Sequence, residues 1–258
     1  MRNGSNRGMD RSICISWYNL PATGRAEYLD WLHGSYIPRV LAREGVVWGA
    51  HYASVERGAM TTMRKKGKEL KSTADATVPV GDRFLLLFGG VDAAAFGDPT
   101  PDAFNASLPE ADKMLLAMRT GERVNVMIET ARVEGPECGA YEDGMAPTPC
   151  IQLGNFTCDW RNEQEMLGWY TQWRMKAMKT LPGCVRTRKF ASVAGWAKHA
   201  ILYEFTSLEM RNAHFTKHED GHADMVAWGN RVVATLTHAP GSANLATRLW
   251  PPIREQSK

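Results

Sequence analysis

A histidine-rich stretch, AHFTKHEDGHADM, contains the H-E-x-x-H pattern in which two histidines on one helix face bind zinc and a glutamate acts as general base. His214, His218 and His222 are spaced by four, so one helical face would carry all three. Asp220 and Gly221 weaken a helix where a zinc site needs rigidity, and the sequence offers no obvious third ligand. We therefore expect neither a zinc protease nor a bound metal, with a non-protease metal role of these three histidines as the alternative, and His214 and His218 are kept as acid–base candidates.

Four further side chains are candidates for moving protons, namely His33, Tyr36, His51 and Glu204. A histidine with a near-neutral pKa transfers protons without any cofactor. His51 lies in a strand that should be buried, and its structural alternative is a core histidine with one backbone partner. Glu204 lies inside the apolar strand AILYEFTS. Burial there would raise its pKa and make it a general base, whereas a solvent-facing position is the simpler alternative.

Six side chains are candidates for holding a substrate, namely Tyr18, Trp48, Tyr52, Arg186, Arg188 and His238. Strand alternation puts Trp48 and Tyr52 on one face, and Arg186 and Arg188 occupy the equivalent face of a later strand. Guanidinium groups bind carboxylates through two hydrogen bonds and stack on rings, so this face predicts a lumen for an aromatic acid. The alternative is a sheet edge where both arginines meet solvent. His238 lies in the Pro-Gly turn THAPGS, which is either a binding segment or simply a turn.

The elements that must position these residues follow a repeated order. A strand (12–20), a helix (25–45) and a second strand (46–56) begin the pattern. An offset of 138 residues superimposes residues 12–55 on residues 150–193 without a gap, with Trp31 on Trp169. Apolar third strands and helical segments then follow in both parts.

Each part is therefore predicted to be a β-α-β-β-α-β unit. The expected fold class is α+β, with two tandem ferredoxin-like units of the dimeric α/β-barrel type. The expected boundaries are a disordered tail (1–11), a first unit (12–133), a Gly- and Pro-rich linker (134–149) and a second unit (150–258).

Composition excludes several functional classes. The chain has 258 residues and a net charge of +3, too weak to indicate nucleic-acid binding, and the basic stretch MRKKGKELK (63–71) is interpreted as a solvated loop. No apolar run approaches the roughly 20 residues that span a bilayer, and the polar N-terminus does not resemble a secretory signal. Five scattered cysteines without a C-x-x-C pair favour free thiols in the cytoplasm.

The helix YLDWLHGSYIPRVLAREGV and the strand VWGAHYASV resemble the dimeric α/β-barrel superfamily. Its members include antibiotic-biosynthesis monooxygenases, EthD-like proteins, muconolactone isomerases and haem-binding chlorite dismutases. Where those relatives often have a histidine before an Ile-Pro pair, this chain has Tyr36, and His33 lies one turn earlier. The resemblance implies a pocket for a small flat molecule and a homodimer. It also implies a haem role as an alternative for His214, His218 or His222.

These observations lead to one functional hypothesis and its alternatives. We expect a cytoplasmic, cofactor-independent enzyme that acts by proton transfer on a small aromatic or polyketide-like acid, as a lyase or decarboxylase, isomerase or cyclase. No Gly-rich phosphate loop appears, so no nucleotide cofactor is expected. The alternatives are a haem protein of the chlorite-dismutase type, a cofactor-free monooxygenase and a non-catalytic ligand-binding module.

Overall fold

The computed structural model describes residues 10–55, 70–141 and 147–253. Parts of several sequence predictions lie outside these ranges. They include residues 1–9 of the expected tail, residue 56 of the second strand, 63–69 of the basic stretch, 142–146 of the linker and 254–258 of the second unit.

The described chain forms a closed antiparallel barrel of eight strands. Around the barrel the strand order is β7-β6-β4-β1-β3-β2-β9-β5, and β5 pairs with β7 to close the ring. A short strand, β8, extends β5 outside the ring. The strands are β1 Ser12–Asn19, β2 Val46–Ser54, β3 Phe84–Gly90, β4 Thr120–Glu134, β5 Cys150–Cys158, β6 Cys184–Ala194, β7 His199–Phe205, β8 Leu236–His238 and β9 Asn244–Trp250.

The predicted fold class of two tandem ferredoxin-like units is wrong, because all eight strands share one barrel. β4 pairs with β6, and β2 pairs with β9, so the four strands of the first half and the four of the second join at both of their edges, which leaves no free sheet edge between them in the described residues. Closure satisfies backbone N–H and C=O groups that two separate sheets would leave unpaired. Periodicity predicts the strands but not which edges join. The tandem duplication stays a prediction.

Helices lie outside the barrel in two groups. The first group contains α1 Arg25–Trp31, a π-helical segment Leu32–Tyr36, α2 Ile37–Leu41, α3 Pro101–Ala106 and α4 Glu110–Leu116. The second contains α5 Glu163–Trp169, a π-helical segment Tyr170–Arg174, α6 Met175–Met178, α7 Leu208–His214 and α8 Ala223–Ala234. Within the described ranges, every helix is too short or too polar to cross a membrane.

Three hydrophobic clusters follow from strand alternation, since successive side chains point to opposite faces. The barrel lumen is filled by side chains such as Trp17, Trp48, Tyr52 and Phe190. The outer face of β1, β2 and β3 packs against the first helical group, and the outer face of β5, β6 and β7 packs against the second. The structure therefore has one internal and two external layers where a site could form.

Candidate functional site

A hydrogen-bonded chain of three side chains lies between the barrel and the first helical group. The Tyr18 hydroxyl is 2.9 Å from Nε2 of His51, and Nδ1 of His51 is 2.9 Å from Nε2 of His33. Tyr18 and His51 are fully buried, whereas His33 is partly exposed. The chain therefore runs from the core to the protein surface.

The local structure explains why these residues meet. Tyr18 on β1 and His51 on β2 both point to the outer face of the barrel, and Phe84 on β3, the strand between them, stacks on both rings. His33 comes from the π-helical segment that interrupts the helix. Such segments are frequent at functional sites because the wider turn re-aims side chains. It places the His33 ring 5.1 Å from that of His51.

Burial sets the protonation states of this chain. It lowers the pKa of His51 well below its ordinary value, an effect that His33 and the Arg119 charge reinforce. Burial also lowers the pKa of His33, so both imidazoles are neutral at neutral pH. The same desolvation raises the pKa of Tyr18, which keeps its proton. The site therefore combines neutral bases with a protonated phenol.

An arginine that the sequence did not single out lies beneath the tyrosines of this site. Arg119 donates through Nε to the Tyr28 hydroxyl at 2.6 Å and through Nη1 to Glu122 at 2.7 Å. Its guanidinium lies 4.6 Å from the Tyr18 ring centre and 5.2 Å from that of Tyr36. Its Nη2 atom is buried and has no hydrogen-bond partner among the described residues. A single arginine before a Gly turn has no sequence pattern that separates it from a surface arginine.

Tyr36 closes the inner side of the same site. Its hydroxyl donates to Oδ1 of Asn105 at 2.8 Å, and burial raises its pKa to about 12. Asn105 lies on α3. The candidates Tyr18, His33, Tyr36 and His51 are thus gathered in one site, and Tyr36 is a protonated hydrogen-bond donor there.

The rim of this site is aromatic and carries one positive charge. The rings of His33 and Trp250 are 6.4 Å apart and 25° from parallel. The Arg25 guanidinium lies 5.8 Å from the centre of the Phe84 ring. It donates to the carbonyls of Leu20 and Pro21 through Nη2 and Nε. Both Arg25 and Trp250 are partly exposed, so a molecule reaching His33 from solvent would meet them.

The candidates on the lumen face form a second, separate group. Trp48 and Tyr52 point into the lumen as the alternation predicts. Trp48 donates to Asp10 at 2.8 Å, and Tyr52 donates to the Thr148 carbonyl at 2.8 Å. Both polar ends are thus satisfied within the protein.

The two predicted substrate-binding arginines already have protein partners. Arg188 lies 2.5 Å from Glu129 and 2.8 Å from Asp10. Arg186 lies 3.5 Å from Glu204, and all these groups are at one end of the lumen. Burial raises the pKa of Glu204, and its carboxylate oxygens have no hydrogen-bond partner among the described residues. Only 1% of Glu204 is exposed, so it has no contact with solvent through which a substrate could reach it.

The histidines of the HEDGH stretch are held by the second helical group. His218 donates through Nδ1 to the Phe215 carbonyl, and Arg174 donates to its Nε2 at 2.5 Å. His222 packs on Trp173 with ring centres 4.8 Å apart, and His214 ends α7. They do not form a common metal face, because the helix breaks between α7 and α8.

These contacts do not fit a haem ligand at His218. An iron bound to this residue would need its Nε2 lone pair, which the Arg174 hydrogen bond occupies. The buried aromatic residues Tyr170, Tyr203 and Phe215 fill the space between this helical group and the sheet. We therefore derive no chemistry through haem.

His238 lies in the second outer layer, apart from the other candidates. Its ring is 5.6 Å from that of Phe156, and burial lowers its pKa to about 4. A surface cavity of about 390 Å³ is formed by residues 192–198 together with Thr157. It contains none of the predicted site residues, so it adds no support for their roles.

Comparison with known proteins shows the fold but no family. No protein-family model matches the chain, and no curated protein matches it. An anthrone oxidase-like protein aligns over 94% of this chain and 92% of its own, with a TM-score of 0.58 and 9% identity. A monooxygenase-like protein from Lactobacillus acidophilus NCFM aligns over 93% of both chains, with a TM-score of 0.52 and 10% identity.

A chlorite dismutase-type protein aligns over 93% of this chain and 95% of its own, with a TM-score of 0.50 and 10% identity. Monooxygenase-like and chlorite dismutase-type proteins, which the predicted resemblance named, are thus among the fold neighbours. The identities are too low to transfer any residue's role.

Proposed function

We propose that the protein is a cofactor-independent enzyme that acts by proton transfer on a small aromatic or polyketide-like compound, with His33 as the base. The observation that carries this proposal is the chain Tyr18–His51–His33. It fixes one nitrogen of a partly exposed, neutral imidazole and leaves the other nitrogen without a partner among the described residues. A base oriented in this way is the usual requirement for general base catalysis.

The direction of the hydrogen bonds decides what His33 can do. When Nε2–H of His33 donates to His51, Nε2–H of His51 donates to Tyr18, which is itself hydrogen-bonded to Tyr28. The Nδ1 lone pair of His33 then points away from the chain and can accept a proton. Because burial and the Arg119 charge oppose an imidazolium at His51, the proton stays on His33 and can return to the substrate.

The rim of the site favours a flat, weakly acidic substrate. An aromatic ring can lie against Trp250 and the His33 imidazole, and the Arg25 guanidinium can bind a carboxylate or phenolate oxygen of the same molecule. Arg25 takes the substrate-binding role that the sequence predicted for Arg186 and Arg188, because those two arginines already bind Glu204, Glu129 and Asp10. An isomerase or a cyclase begins with this proton transfer, whereas a decarboxylase loses CO₂ first and then needs a proton donated to the carbanion that remains. A homodimer in a reducing cytoplasm is part of the proposal, and the five free cysteines are consistent with it.

Deuterium exchange tests the proton transfer without requiring a complete reaction. Anthrone is a suitable probe, because its methylene hydrogens lie between two aromatic rings and an anthrone oxidase-like protein shares the fold. In deuterated buffer without oxygen, the protein should accelerate loss of the methylene proton signal in the NMR spectrum. His33→Gln should reduce that acceleration by about 10²- to 10⁴-fold, the usual contribution of a general base.

Two variants distinguish the role of His33 as the base from the role of His51, which orients it. His51→Asn should lower the rate less than His33→Gln and shift the pH profile, because His51 only orients and polarises His33. In the wild type the rate should rise with pH and level off below pH 6.5, the ordinary value from which the His33 pKa is lowered. His222→Gln in the other helical group is the matched control and should leave the rate unchanged. Equal exchange in wild type and His33→Gln contradicts the proposal.

A further inference from the structure

Three side chains with metal-binding atoms meet on the opposite side of the barrel from His33. Cys158 is the last residue of β5, Glu163 is the first residue of α5, and His199 is the first residue of β7. One sulfur, one carboxylate oxygen and one imidazole nitrogen lie within 4.8 Å of one another. The Glu163 oxygen and the His199 Nε2 atom are 3.2 Å apart.

The barrel fixes two of the three donors. β5 and β7 are hydrogen-bonded neighbours in which Phe156 faces His199, so Cys158 lies two residues further along the same outer face. A turn after β5 then brings Glu163 over this corner. The donors are thus held by neighbouring strands and one helix start, far apart in sequence, which is why no spacing motif reveals them.

The donor set matches a borderline transition metal. Zinc binds thiolate sulfur at about 2.3 Å and imidazole nitrogen and carboxylate oxygen at about 2.0–2.2 Å. Tetrahedral donors at those lengths are roughly 3.3–3.7 Å apart. The observed separations of 3.2 Å and at most 4.8 Å therefore need only a small closure. Cys158 and Glu163 are partly exposed, which gives an ion a path into the site.

We propose that Cys158, Glu163 and His199 bind one divalent transition-metal ion, for which Zn²⁺ is the best chemical match. On binding, the Cys158 thiol loses its proton to solvent and forms a sulfur–metal bond. His199 binds through Nε2, which gives up its hydrogen bond to Glu163 while the ring proton moves to Nδ1. Three protein ligands leave a fourth position for water, the arrangement of zinc sites that activate water rather than only stabilise a fold. This site is independent of the His33 site.

Two lysines oppose a cation at this position. Lys198 forms an ion pair with Glu163 at 2.6 Å, but half of its side chain is exposed, and such a pair contributes little. Lys198 can therefore turn into solvent and release Glu163. Lys189 is buried nearby, and desolvation lowers its pKa. His199 is kept neutral by burial, which is the form that binds metal.

Cobalt titration is the direct test. Co²⁺ added to the metal-free full-length protein should give a thiolate-to-cobalt charge-transfer band that saturates at one equivalent and disappears when Zn²⁺ is added. Cys158→Ser should abolish the band. His199→Ala should weaken Co²⁺ binding by at least about 100-fold, because loss of a residue that only supports a metal ligand already costs about 10- to 100-fold. Cys138→Ser is the matched control, since it removes a thiol outside the cluster, and it should retain the band.

Two further measurements keep the result unambiguous. Lys198→Met should strengthen Co²⁺ binding several-fold because it frees Glu163, and unchanged or weaker binding counts against the proposed ligand set. Zn²⁺ should raise the melting temperature of the wild type but not that of Cys158→Ser, whose metal-free melting temperature should match the wild type. Absence of a thiolate band at one equivalent, or an equal band in Cys158→Ser, overturns the proposal.

Discussion

Replacing Arg188 with methionine should destabilise the protein strongly, because this arginine neutralises the buried carboxylate of Asp10 and the partly buried carboxylate of Glu129. It lies 2.5 Å from Glu129 and 2.8 Å from Asp10, and its Nη2 also donates to the Asp10 backbone carbonyl at 3.2 Å. Only 2% of the Arg188 side chain and 1% of the Asp10 side chain are exposed. Arg132 is the second cation of the group, 3.0 Å from Asp10 and 2.8 Å from Glu129. The negative charges of the two carboxylates are thus balanced by the positive charges of the two guanidinium groups.

In Arg188→Met this group carries one uncompensated negative charge. Breaking a buried ion pair by removing one partner costs about 3–5 kcal/mol. Arg132 still bonds both carboxylates and lies at the edge of the lumen, so we expect about 3 kcal/mol. Methionine has a similar volume, which limits any cavity contribution. At a urea slope of about 3 kcal/mol/M the unfolding midpoint should fall by about 1 M.

The control is Arg161→Met, which breaks the ion pair between Arg161 and Asp159. Both of these side chains are largely exposed, so the loss should be below about 1 kcal/mol. Adding Glu129→Gln to Arg188→Met removes the unpaired charge and should recover part of the loss. Urea unfolding followed by tryptophan fluorescence measures all of these free energies. If Arg188→Met costs no more than Arg161→Met, the lumen ion pairs do not stabilise the fold, and a substrate-binding role for Arg188 regains support.

Three other outcomes follow from the structure. Burial lowers the pKa of His238 from 6.5 to about 4, so the folded state binds a proton less readily than the unfolded state, and stability falls as pH decreases from 6.5 towards 4. Urea unfolding should show that this fall is smaller in His238→Asn, by about 3 kcal/mol at pH 4. Gly89→Ala would place a Cβ 2.1 Å from the Trp48 indole and should lower stability by about 1–3 kcal/mol, whereas Gly34→Ala, with no atom within 4 Å, should be neutral or stabilising. Ser207→Ala removes the side chain that caps α7, and thermal unfolding should show a loss of about 1 kcal/mol.

Local features of the fold were predictable because they depend on neighbouring residues. Alternation in SICISWYNL and VVWGAHYAS predicts β1 and β2 and correctly assigns Trp48 and Tyr52 to the lumen. The same alternation puts His51 on the helix-facing side, where Tyr18 also lies. The closure of the barrel was not predictable in this way, because pairing of β4 with β6 joins strands whose contacts depend on the whole chain.

The candidate site was likewise predictable only in part. His33 and His51 were candidates from their residue type and strand position, yet their contact depends on a π-helical segment that periodicity does not reveal. Arg119 was missed because its role comes from three tyrosines that surround it, and these are distant in sequence. The cluster of Cys158, Glu163 and His199 was missed for the same reason.

The half of the chain with more histidines is not the half whose histidine is better placed to act as a base. The HEDGH stretch gives the second half the greater number of histidines. In the structure His218 has both ring nitrogens engaged, one by Arg174 and one by a backbone carbonyl, so it holds a loop in place. Among the described residues His33 has only one nitrogen engaged, and the partner is another neutral imidazole that orients it. An imidazole can act as a base only through a nitrogen lone pair that no protein donor uses, and on that criterion the first helical group holds the better site.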